Sequence, residues 1–129
     1  MYFMNMNTMF NHVDILGSAM QAAVVRDGVI SNNIANADTP LFKRSAVRFE
    51  TYLGAAVDNY RQTGDLNLTN IRPTVVTEYG DLYYRFDENN VDIEAEMTEL
   101  YQNSVRFDVM SSGIMNHYRI INMIIGSQI

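Results

Sequence analysis

Apolar residues recur at alternating steps of three and four at both ends of this chain, and no other feature constrains its fold as much. The N-terminal series is Val13, Leu16, Met20, Ala23, Ile30 and Ile34, with Asp27 the one polar interruption. The C-terminal series is longer: Ile93, Met97, Leu100, Ser104, Phe107, Ser111, Ile114, Tyr118, Ile121 and Ile125. Such spacing lines one side of an α-helix and matches the seam of a coiled coil. The sequence therefore predicts a mainly α fold in which long N- and C-terminal helices pair as a coiled-coil-like bundle around a loop or small β-hairpin. In a single domain spanning 1–129, the helices are expected over 8–36 and 91–127, with 37–90 forming the junction, loop and possible hairpin.

The first pattern ends in "SNNIANADTPLFK", residues 31–43. Asparagine tolerates the left-handed conformation, and the residue before a proline is pushed out of the helical region, so Asn36, Asp38 and Pro40 are stop signals. Asp38 and Thr39 suit local side-chain to backbone bonds that hold a turn, and Pro40 prevents continuation. The amides of Asn32, Asn33 and Asn36 can bond the last helical carbonyls or a partner's backbone, or they can cap the helix and face water; capping is the simpler reading for Asn36. At the other end, Asp92 or Asn90 suits an N-cap, and Glu94 and Glu96 sit where the helix dipole favours acids. The middle holds two strand-like runs, "PTVVTEY" and "DLYYRFD", separated by Gly80 and Asp81.

Charge is missing where a free-standing helix needs it. Residues 1–25 carry only Asp14, residues 109–129 only Arg119, and all nine methionines fall within 1–20 or 97–123. A surface helix ordinarily opposes its apolar stripe with a charged face, and Met suits surfaces that pack against more than one partner. Two helices paired only with each other leave their far sides bare, so other subunits are expected to cover them.

The remaining composition excludes several functions. Fifteen acidic against nine basic residues disfavour a nucleic-acid partner, and the absence of cysteine removes disulfides and thiolate chemistry. With no Lys or Arg before Arg26 and Asp14 interrupting the apolar region, a cleaved secretory signal is poorly supported. No uncharged run approaches the roughly 20 residues of a membrane span, so no direct membrane insertion is expected. His12 and His117 complete no metal motif with the acids Asp92, Glu94, Glu96 and Glu99, and no glycine-rich phosphate loop occurs. No catalytic, cofactor-binding or metal-ligating residue is assigned. Lys43, Arg44 and Arg48 form a basic patch, read either as a solvated face or as a contact for an acidic neighbouring subunit.

"NNIANADTPLFK", residues 32–43, resembles the N-terminal signature of bacterial flagellar rod, hook and hook-associated axial proteins. On that resemblance Asn32, Asn33, Ile34, Asn36, Asp38, Thr39, Pro40, Phe42 and Lys43 are signature residues. The continuation Ala37-Asp38-Thr39-Pro40, and "NNVDIEAEM" at 89–97, are most similar to the short basal-body rod proteins. The resemblance implies a non-enzymatic structural subunit of the proximal rod, located in the periplasmic part of the basal body. Its partners would be other rod proteins, copies of itself, the basal-body base and the flagellar export apparatus, which would export it without a cleaved signal. Alternatives are another short rod paralogue or a soluble helical adaptor or secretion chaperone. Leu41 stands where these proteins commonly have Gly, and Glu88 where a turn glycine is often found. Because a left-handed residue is costly for Leu, the backbone after Pro40 is expected to depart from the family's turn.

Overall fold

A computed structural model of the chain describes residues 6–68, 71–79 and 86–126. It is mainly helical, with long helices at both ends and a small antiparallel sheet between them, as the periodicity predicts. Helix α1 runs Met6–Ala35 and α3 runs Ile93–Gly126. They lie antiparallel: Asn33 bonds Glu96, Ala23 bonds Asn103, and Leu16 lies against Gly113.

The inner ends of the two long helices have visible causes. Beyond Ala35 the backbone closes through Asn36 N–H to the carbonyls of Asn32 and Asn33, followed by Ala37 to Ile34 and Thr39 to Asn36. Pro40 follows directly and offers no amide to continue the ladder. Of the two N-cap candidates for α3, Asp92 is the cap: its Oδ1 accepts from the N–H of Glu94 at 3.0 Å and of Ala95 at 3.2 Å.

The middle differs from the expected loop and hairpin in two respects. Residues Ser45–Arg48 form β1, Glu50–Thr63 form helix α2, and Thr74–Thr77 form β2. Helix α2 has no fully buried residue, and its apolar stripe, Leu53, Ala56, Val57 and Tyr60, is short and only half-buried. It stops at Gly64, which takes the left-handed conformation at φ 74° and donates its N–H to Tyr60 O. The strand-like run at 74–77 pairs with β1, in the register Ser45 to Thr77 through Arg48 to Thr74. This is a long-range pairing across α2, and of the second expected strand, residues 81–85 lie outside the described residues. Between sheet and α1 sits the apolar core: Ala22, Val47 and Phe49 are buried, with Ala19, Val25, Val29, Leu53 and Ile71 packed around them.

Candidate functional site

The two sequence motifs meet in space, and asparagine side chains join them. Asn33, fully buried, acts toward β1 as a neighbouring strand would: its Nδ2 donates to Ser45 O at 2.8 Å and its Oδ1 accepts from Ser45 N–H at 2.9 Å. The same Nδ2 donates to Glu96 Oε2 at 3.0 Å, reaching α3. Asn89 closes the other side. Its Nδ2 faces the carbonyls of Asn36, Ala37 and Thr39 at 3.0, 3.0 and 2.8 Å, while its Oδ1 accepts from Val91 N–H. Asn90 bridges β1 to the stretch after β2, accepting from Arg44 N–H at 2.7 Å and donating to Glu78 O at 2.8 Å. Buried polar groups are tolerated when satisfied in this way, and these bonds fix how α1, β1 and the start of α3 meet.

One charge network completes the clasp. Glu96, 1% exposed, holds Arg44 through Oε1 and Nε at 2.8 Å, and Arg44 also contacts Glu78 and, at 3.3 Å, Glu99. Burial opposes the charge on Arg44, but the hydrogen bond and field of Glu96, then those of Glu78, outweigh it and raise its pKa. Lys43 Nζ donates to Glu88 O at 2.6 Å. For Lys43 and Arg44 the basic patch is thus anchored inside the chain, while Arg48 is exposed. A second pair, Arg26 with Glu50, flanks the core. Partial burial favours the neutral Glu50 carboxyl. Its bond to its own backbone N–H, the bond and field of Arg26, and the more distant Arg106 together hold it below the usual carboxylate range.

The signature residues divide by position. Asn33 is buried, Ile34, Asn36, Phe42 and Lys43 are half-buried, and Asn32, Asp38, Thr39 and Pro40 are exposed. Asn36 caps the helix, its Nδ2 on Asn32 O at 2.9 Å and its Oδ1 near Thr39 Oγ1. The turn itself overturns one expectation. Leu41 adopts φ 62° and Glu88 φ 56°, so the left-handed geometry is kept where glycine is missing. A bond from Leu41 N–H to Asp87 O at 2.9 Å and the three carbonyls gathered by Asn89 hold the two strained residues side by side.

The helix seams follow a less apolar line than the sequence patterns. On α1, Ala23 and Ile30 are buried and Val13, Leu16, Met20 and Ile34 half-buried, but Ala22, Arg26 and Asn33 are buried with them. On α3, Leu100, Phe107, Ile114 and Ile121 are half-buried, whereas Ile93, Met97, Tyr118 and Ile125 are exposed in the single chain. Between the shared positions, α3 turns Glu96, Asn103, Met110 and His117 inward, one residue away from the apolar alternatives. Asn103 Nδ2 donates to Ala23 O at 2.8 Å in this seam. The outer face of α3 is left with many exposed apolar side chains, Met97 60% exposed, Tyr101 73%, Val109 66% and Met123 62%, with Asp108 and Arg119 standing among them.

Glu78, Asn89, Asn90, Arg44 and Asn103 are the residues that sequence reasoning missed as site members. The doublet Asn89-Asn90, echoing Asn32-Asn33, was the available signal. No group of three His, Cys, Asp or Glu among the described residues is placed to hold a metal ion, and no described helix is long and apolar enough to cross a membrane.

Comparison with known proteins places this arrangement in context. A family model described as flagella basal body rod protein matches residues 14–43, most of α1 and the junction. The flagellar basal body rod protein FlgB of Borrelia hermsii is 31% identical over 135 residues, covering 93% of this chain and 99% of that protein. FlgB of Bacillus subtilis (strain 168) is 36% identical over 102 residues, covering 74% of this chain and 78% of that protein. FlgB of Aquifex aeolicus is 27% identical over 121 residues, 91% and 94% of the two chains.

Proposed function

Because the chain belongs to the FlgB family of flagellar basal-body rod proteins, we propose that it acts as a structural subunit of the proximal rod, joined to its neighbours by helix packing rather than by any catalytic chemistry. The observation that carries this reading is the contrast between the two sides of α3. Its inner side is engaged with α1 through Glu96 and Asn103, while its outer side presents Met97, Tyr101, Val109, Met115, Tyr118 and Met123 to solvent. An apolar strip of that extent on an isolated chain is a surface for other subunits. The clasp supplies the fixed angle from which α1 and α3 project, and the terminal helices of adjacent copies and other rod proteins cover what one chain leaves bare. Assembly takes place in the periplasm, after export through the flagellar apparatus without a cleaved signal.

The test is genetic and structural. Removing the chain from its source cell is expected to abolish the rod, and the intact chain to restore it. A chain lacking residues 109–129 is expected to fail. Normal flagella without the protein would sink the proposal.

A further inference from the structure

On the α1–α3 face, Asp27, Asn103, Ser104, Phe107 and Asp108 line a cavity of about 280 Å³ that no basic residue borders. Among the described residues neither the Asp27 nor the Asp108 side chain has a hydrogen bond or an ion pair. Asn103 is 3% exposed; its Nδ2 is taken by Ala23 O, and its Oδ1 is a buried acceptor with no donor. Two free carboxylates and an orphaned amide oxygen ask for a positively charged group with several N–H donors, which is the chemistry of a guanidinium.

This chain carries such a group on the same helix face. Arg119 is exposed, makes no ion pair among the described residues, and is the single Asp, Glu, Lys or Arg in 109–126. It lies about three helical turns beyond Asp108, so both project to one side of α3. That separation, roughly 16 Å along the axis, keeps Arg119 out of its own chain's socket. If α3 is covered by neighbours, an unpaired Arg119 is a lone charge in an apolar contact, a costly arrangement unless a carboxylate meets it.

We propose that the socket of Asp27, Asp108 and Asn103 receives the Arg119 side chain of a second copy of this chain, displaced along α3 by about three turns. The inference rests on the rod-subunit reading and deepens it, since this ion pair would set the axial stagger between copies. Charge pairs of this kind fix register and exclude wrong alignments.

The experiment expresses the intact chain, R119A, R119D, D108R and the double variant R119D/D108R in source cells lacking the native copy, and counts assembled rods. Far-UV circular dichroism of each purified variant checks that helicity is unchanged. The expected result is loss of rods with each single variant and their recovery with the double variant, since the roughly 16 Å between positions 108 and 119 lets those two reversed charges meet only between copies. Full assembly by R119A, or an R119D defect that D108R does not repair, would overturn the pairing while leaving the rod reading intact. Failure of the intact chain to restore rods would instead remove the rod reading and this inference with it.

Discussion

Replacing Asn33 by Asp changes one side-chain atom at the centre of the clasp and has a calculable consequence. In the native protein the amide donates to Ser45 O at 2.8 Å and to Glu96 Oε2 at 3.0 Å, and accepts from Ser45 N–H at 2.9 Å. In N33D the accepting bond survives, but an anionic oxygen faces a carbonyl and a second buried carboxylate. The lost bonds are worth about 1 kcal/mol to the carbonyl and about 1.5–3 kcal/mol to the charged partner. Adding the cost of an uncompensated buried charge, the total at neutral pH is about 4–6 kcal/mol, much of the stability of a small domain. N33A, which loses the bonds without adding charge, should cost about 2–4 kcal/mol. Burial and Glu96 raise the folded-state pKa of the introduced carboxyl above its unfolded value of about 3.9. Between those two values the folded variant binds the extra proton, so its stability relative to the native chain falls as pH rises through that window. It recovers as pH falls toward about 4, where a protonated Asp donates to Glu96 again. Urea unfolding followed by far-UV circular dichroism, at neutral pH and at about pH 5, measures both effects. Equal stability of N33D and N33A at neutral pH, or an N33D penalty that does not change with pH, would refute the account of Asn33 as a donor to a charged Glu96.

L41G and E88G should each stabilise the fold by about 0.5–1 kcal/mol, the left-handed strain of about 1–2 kcal/mol less the added chain entropy of glycine; because the two residues adjoin, the double variant is expected to gain less than the sum, and denaturant midpoints will tell. R44M leaves Glu96 buried beside Asn33 alone and should cost about 3–5 kcal/mol in the same assay. The lowered pKa of Glu50 contributes stability that is fully present above the unfolded carboxylate value and is lost as pH falls through the folded one; since Glu50 is largely exposed the effect is under about 1 kcal/mol, and R26M should reduce it but leave the share held by the Glu50 backbone N–H and Arg106 in a pH series of unfolding curves. Hydrogen exchange of a dilute monomer should find the amides of Ser45 and Val91 protected and those of 109–126 exchanging fast, because the contacts that order that end belong to neighbours; strong protection there would contradict the reading of α3 as an assembly surface.

Much of the architecture was legible because it is local. The three-four spacing specifies helices over both ends, and Asn36 and Pro40 stop the first where it stops. Asp92 opens the second by bonding amides two and three residues on. The scarcity of charge in residues 109–129 likewise agrees with the exposed apolar side chains that α3 presents in the single chain. Helix α2 was missed although Leu53, Ala56, Val57 and Tyr60 stand at helical spacing, because the stripe spans only two turns and is only half-buried. The β1 to β2 pairing was missed because its partners lie on either side of α2, and a four-residue strand carries no mark of its distant partner.

The clasp shows most directly where sequence stops and tertiary structure decides. Two stripes on α3 share Leu100, Phe107, Ile114 and Ile121; one alternates them with Met97 and Tyr118, the other with Glu96, Asn103, Met110 and His117. Helical periodicity admits both, and hydrophobicity favours the first. The structure turns the second inward, because Glu96 finds Arg44 and Asn33, and Asn103 finds Ala23 O, all more than fifty residues away in the chain. Sequence alone determined that the two long end segments are helices whose outer halves carry little charge, since backbone geometry and solvation act residue by residue. Which side of α3 meets α1, and which stays exposed, depends on polar groups that gain their partners only when distant segments come together.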